Sequence, residues 1–163
     1  MRRAIVLFVA IPLTAIFLGV QIRADEESVP VDKIPKAVMD ALLGKFPKAK
    51  VDKCTKANEE NTVVYDIEFK EGTRKCEADI KESGAYINYE KAIEAKDLPT
   101  AVKNAVEKRY AKSTLKEIME ETEVKGKDEK LSAYEVVVTT ADKKEEELRL
   151  SSDGKILEDT GAK

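Results

Sequence analysis

Cys54 and Cys76 are the only thiols in this 163-residue chain, and it contains no histidine. Without imidazole, Ser-His-Asp and Cys-His catalysis, histidine general-base chemistry and histidine-containing zinc sites are excluded. Nothing in the flanking sequence marks either thiol as activated. The abundant reactive group is the carboxylate, with 32 Asp and Glu. Carboxylates can share protons or bind hard cations, but no D-x-D-x-D-G calcium loop is present. The densest group is Glu117, Glu120, Glu121 and Glu123. Such a group could attract a cation, yet a solvated strand edge or helix end explains it more simply and keeps an edge from pairing. Asp153-Gly154 reads as a turn. The residues thus imply no catalytic residue, no cofactor and no metal ligand set, which turns attention to binding.

The elements that would position a binding surface begin after an export signal. Arg2 and Arg3 precede the apolar run 4–20, and small Ala24 ends the segment before acidic Asp25-Glu26-Glu27. This is the pattern of a secretory signal peptide over 1–24 and implies a periplasmic or secreted protein. An uncleaved membrane anchor is the alternative, since the run approaches bilayer-spanning length. Removing 1–24 takes away Arg2, Arg3 and Arg23, so the net charge moves from −3 to −6. An acidic chain without a basic block argues against nucleic acid, whose phosphates need clustered Lys and Arg. Residues 25–31 read as a disordered lead-in.

The rest repeats. Ile34-Pro35 through Phe46 aligns with Leu98-Pro99 through Tyr110, matching Ala37 with Ala101, Val38 with Val102 and Ala41 with Ala105. Further on, Tyr65 to Phe69 aligns with Tyr134 to Val138, and Ser83-Gly84 with Asp153-Gly154. The offset grows along the chain, which places extra residues in the loop 124–130 and the turn 140–143, where insertions are tolerated. The units are 32–95 and 96–163. Each starts with Asp32 or Asp97 as helix cap and Pro35 or Pro99 in the first turn. Apolar residues then recur at helical spacing, and the period changes to two. Val63, Tyr65, Ile67 and Phe69 alternate with Val64, Asp66, Glu68 and Lys70, the pattern of a strand with one face in the core. Less regular strands are expected near 50–56 and 115–123, and clear ones around 78–80, 85–89, 148–150 and 155–157. The fold class is therefore α+β: two tandem units, each a helix laid on one face of a four-stranded antiparallel sheet.

This arrangement assigns sides. Tyr65, Phe69 and Tyr134 face the helices. Val64, Asp66, Glu68, Glu135 and Val137 have the opposite parity and lie on the open side. Tyr86 and Tyr89 differ in parity, so at least one should also leave the core face and offer an aromatic anchor to a partner. These seven residues form the candidate partner-binding set, with scattered ordinary surface as the competing explanation. The same meander bears on the cysteines. A disulfide is the default in an exported chain. However, Cys54 and Cys76 fall on strands separated by a third, roughly 9–10 Å apart, beyond the ~7 Å reach of a bridge.

The helix followed by Val64-Tyr65-Asp66-Ile67-Glu68-Phe69, Ala78-Asp79-Ile80 and a glycine turn resembles the PepSY-like, β-lactamase-inhibitor-protein-like family of exported domains. Tyr134 to Val138 with Leu148 to Leu157 carries the resemblance more cleanly. It covers nearly the whole mature chain and implies a sheet face that docks on a hydrolase or peptidase, with no catalytic residues to carry over. Fold alone does not fix function. The leading expectation is an exported, non-catalytic protein-binding module, in its narrower form an inhibitor of an extracytoplasmic enzyme. A scaffolding protein associating through sheet edges and a carboxylate-based cation binder are the alternatives.

Overall fold

The computed structural model describes residues 26–59 and 61–161. The expected signal segment 1–24 lies outside the described residues. Two helices, α1 (Lys36–Lys45) and α2 (Thr100–Arg109), accompany one nine-stranded antiparallel sheet. Its strands are β1 (Glu27–Ser28), β2 (Ala49–Glu59), β3 (Thr62–Glu71), β4 (Arg74–Lys81), β5 (Tyr86–Ala92), β6 (Thr114–Lys125), β7 (Asp128–Thr139), β8 (Glu145–Leu150) and β9 (Ile156–Asp159). They pair in chain order, so a helix followed by four strands occurs twice and β5 joins the two sets by pairing with β6. The family of strands is continuous because every connection inside a set is a short turn, which favours antiparallel neighbours.

The local chemistry of both helices is the same. Each is entered from an extended proline, Pro35 or Pro99, whose carbonyl accepts the first helical bonds. The aspartates expected as caps do not cap. Asp32 sits in a short 3-10 turn (Val31–Lys33), Asp97 in the turn before Leu98, and no side chain caps either helix. The proline starts the helix three residues after Asp32 and two after Asp97, too far along for those carboxylates. Val38 and Leu42 on α1, and Val102 and Val106 on α2, are buried at i, i+4 spacing. Phe46 and Tyr110 end the helices with an N–H donated to Leu42 and Val106.

Two cores follow. The first gathers Val38, Leu42 and Phe46 with Tyr65, Ile67, Phe69, Cys76, Ala78 and Ile80; the second gathers Val102 and Val106 with Ile118, Tyr134, Val136, Val138, Leu148 and Leu150. Residues directly opposite in neighbouring strands share a face. The line Phe69–Cys76–Lys91–Glu120–Tyr134–Leu150 therefore runs along one side of the whole sheet, and it links both cores. Tyr65 and Tyr134 are buried in these cores, as their parity requires.

The turns before β5 and β9 fix the helices at close range. Gly84 and Gly154 have φ of +86° and +84°. A Cβ on Gly84 would sit 2.8 Å from the Ala37 carbonyl oxygen, and one on Gly154 would sit 2.5 Å from that of Ala101. Equivalent helix positions thus meet equivalent turns, which only glycine allows.

Three expectations change. The lead-in is ordered in its described part: Glu27–Ser28 pairs with Thr55–Lys56, and Val29 is buried. The backbone of 27–28 finds free partners on the outer edge of β2, and this outweighs the polar composition. The extra residues expected in the loop 124–130 instead lengthen the β6–β7 hairpin, which stays paired out to Lys125 and Asp128. The glutamates 117–123 belong to a central strand rather than to an edge.

Both cysteines are free and buried, with Cys54 opposite Ile67 on β3 and Cys76 opposite Phe69 two residues along. Burial pushes the Cys54 thiol up to about 11, and Cys76 upward as well. Neither thiol is expected to react with a thiol-specific disulfide reagent in the native protein, and both should react after denaturation. Counting thiols with and without guanidinium checks this.

Candidate functional site

The sheet face that contributes nothing to the two helix cores carries a dense set of carboxylates. Cross-strand register sets them in rows. One row runs Thr55–Asp66–Asp79–Asn88–Glu123. The next runs Lys53–Glu68–Glu77–Glu90–Glu121–Ala133. A third runs Ala92–Met119–Glu135–Arg149–Glu158, and a fourth Glu117–Val137–Glu147. Strand alternation explains the composition, since β3, β4, β6 and β7 place apolar residues on one side and acids on the other.

Several cations answer these acids, Lys125 Nζ at 2.8 Å from Glu123 among them. Lys53 Nζ lies 2.8 Å from Glu68, and Lys75 Nζ 3.0 Å from Glu77 and 2.9 Å from Glu117. Arg149 grips Glu121 with Nε at 2.6 Å and Nη2 at 2.9 Å, and Ser132 Oγ donates to the same carboxylate at 2.9 Å. Glu121 is only 6% exposed, and this fork supplies the buried carboxylate with a countercharge. The pair holds Arg149 further into its charged form. Arg149→Met, which leaves the buried carboxylate uncompensated, is expected to cost about 2 kcal/mol, discounted for the partial exposure of the arginine. Adding Glu121→Gln should restore most of the loss, and urea denaturation of the wild type and both variants checks it.

The remaining acids are less well served. Carboxylate oxygens of Glu90, Glu121 and Glu135 all lie within 4.8 Å of one another. Burial, and then the charge of Glu135, pushes Glu90 far above the usual carboxylate range; burial, and then Glu147 and Glu121, does the same to Glu135. Burial pushes Asp66 up to about 7, with Asp79, Glu77 and Glu68 adding to it. Glu77 is raised mainly by burial despite Lys75, whose Nζ stands 3.0 Å from its Oε1. Chemically, such a set holds shared protons or attracts positive charge.

Of the residues named from sequence, Val64, Asp66, Glu68, Glu135 and Val137 lie on this face, although Val64 and Val137 are buried rather than available. Tyr86 and Tyr89 do not. A register shift between Asp79 and Ile80 sets Tyr86 opposite Ile80 while Tyr89 stays opposite Ala78, so both rings turn to the first core. There Tyr86 donates its hydroxyl to the Ala41 carbonyl at 3.2 Å, and Tyr89 donates to Glu129 at 2.9 Å. An inserted residue cancels the parity difference, and alternation in sequence cannot reveal it. Glu77, Asp79, Glu90 and Arg149 were not singled out from sequence. Glu77-x-Asp79 carries the signal of acid at every second position, but Glu90 and Arg149 are united with it only by which strands stand side by side.

The whole arrangement has relatives. Residues 20–74 and 63–158 match the family described as "Putative beta-lactamase-inhibitor-like, PepSY-like". Among solved structures, a BLIP-like protein from Bacteroides fragilis is 19% identical, with a TM-score of 0.54 over 81% of this chain and 86% of that one. A DUF2874 family protein from Bacteroides uniformis is 17% identical, with a TM-score of 0.58 over 77% of this chain and 87% of that one. A Bacteroides eggerthii structure described as "putative periplasmic proteins" is 12% identical, with a TM-score of 0.59 over the same shares. At these identities the likeness is one of fold. None of the curated proteins matches the chain. Among the described residues, no helix is long and apolar enough to cross a membrane.

Proposed function

Since this chain belongs to the PepSY-like, β-lactamase-inhibitor-like family, we propose that it is an extracytoplasmic, non-catalytic binding module whose contact surface is the acidic sheet face. The observation that carries this reading is the segregation of the sheet: one side serves both helix cores, and the other presents ordered rows of half-buried charge. The periplasmic description of the Bacteroides eggerthii structure and the signal pattern of 1–24 support export. The lack of any histidine supports a role without acid–base or nucleophilic chemistry. Inhibition of an extracytoplasmic hydrolase or peptidase is the narrower form, and the description of the family supports it. Association through sheet edges has less behind it, because the outer strands β1 and β9 have two and four residues.

A photo-crosslinking amino acid placed at Glu68 or Glu117, on the face, tests the reading in the native envelope, with Glu107 on α2 as control. The expected result is one protein adduct common to both face positions, absent from position 107 and competed away by purified unlabelled protein. No adduct from the face, or equal adducts from both sides, would overturn it.

A further inference from the structure

Resting on that binding reading, we infer that the partner presents a basic segment, whose Lys or Arg side chains enter the face at Glu90 and Glu135. The argument is one of charge balance across a defined surface. The cations that stand among the central acids are committed: Lys53 to Glu68, Lys75 to Glu77 and Glu117, Arg149 to Glu121 and Glu158. Among the described residues, no ion pair or side-chain hydrogen bond engages Glu90 or Glu135, although their oxygens stand within 4.8 Å of each other and of Glu121. The face also shows how it takes a cation. Arg149 lies across the third row and lays its guanidinium on Glu121, satisfying one of the three neighbouring carboxylates. A second cationic side chain, arriving from outside, would do for Glu90 and Glu135 what Arg149 does for Glu121. An anionic or neutral partner would instead add to the repulsion or bury those acids unpaired, and both are costly. Alternate spacing fits as well, because an extended segment laid along a strand presents every second side chain to the sheet.

Fluorescence anisotropy with the signal-free protein and a labelled peptide alternating Lys and Ala tests this, beside a peptide alternating Gln and Ala. Circular dichroism confirms the fold of each variant. The lysine peptide should bind, weaken as salt is added, and lose about tenfold in affinity when E90Q and E135Q are combined, as expected for close charge pairs. The paired variant D97N/E107Q, with equal charge removed at exposed positions outside the face, should retain binding. Equal losses in the two paired variants would reduce the effect to net charge and overturn the inference, as would equal binding of the glutamine peptide. Crosslinks from Glu68 and Glu117 that persist in those cases would leave the binding reading standing and remove only the basic partner.

Discussion

Gly154→Ala is expected to destabilise the protein by about 2–4 kcal/mol, the combined cost of a left-handed alanine and of overpacking. The φ of +84° accounts for the smaller part. The larger part comes from contact, since the new methyl carbon would lie 2.5 Å from the Ala101 carbonyl oxygen and 2.9 Å from its carbon. Those are backbone atoms of α2, so no side chain can swing away, and relief requires lifting the helix off β7 and β8. Gly84→Ala meets Ala37 of α1 in the same way at 2.8 Å and should cost somewhat less. Gly126→Ala separates the two contributions, since its φ is +66° and nothing lies within 4 Å of the added atom. Urea midpoints at constant slope measure all three. If Gly154→Ala and Gly126→Ala lose the same amount, the helix contact contributes nothing and the account of how the helices are seated is wrong.

Stability is expected to rise as the pH is lowered from about 9 to about 6, the reverse of usual carboxylate behaviour. The sign follows from the direction of the shifts. Glu90, Glu135, Asp66 and Glu77 are raised in the fold, first by burial. A carboxyl whose pKa is higher folded than unfolded binds protons preferentially in the native state. Its contribution is complete below the unfolded value and is lost as the pH climbs through the folded one, which for Asp66 is about 7. Asp142, Asp153, Asp159 and Glu129 shift the other way, held down chiefly by hydrogen bonds or, for Asp159, by Tyr110 and Arg109 against its burial. Their support fades as the pH falls through their lowered values. A maximum on the mildly acidic side results. The double variant E90Q/E135Q should melt several degrees higher than wild type at pH 8, with about 2–4 °C for each kcal/mol recovered. Melting curves across pH check both expectations, and a wild-type midpoint that climbs steadily from pH 6 to 9 would refute them.

Much of the architecture could be read from residue order because the helix and strand periods are clean where they matter. Val38 and Leu42, or Tyr134, Val136 and Val138, name their own faces, and the prolines and glycines punctuate each set of elements. Failures arose where one residue changed the count. The shift at Asp79/Ile80 turned Tyr86 inward, and no alternation of types signals it. The acidic face was legible only in fragments. Asp66, Glu68 and Glu135 carried the right parity, and Glu121 was noticed for its neighbours in sequence. Its decisive neighbours, Glu90 and Arg149, are 31 residues before it and 28 after it. Long-range register brings such groups together, and the charge of a single strand gives no hint of whether the next will oppose or compensate it.

The junction of β5 with β6 has a consequence for any attempt to divide the protein. Cut between Ile93 and Pro99, each piece would display a long strand with unsatisfied peptide groups, the kind of rim that recruits foreign chains and seeds precipitation. The two fragments, produced together, should instead seek one another and reconstitute the sheet. In the intact protein the stretch through α2 is a tether that holds these complementary rims at high effective concentration, so a joint that would be hazardous between molecules stays within one.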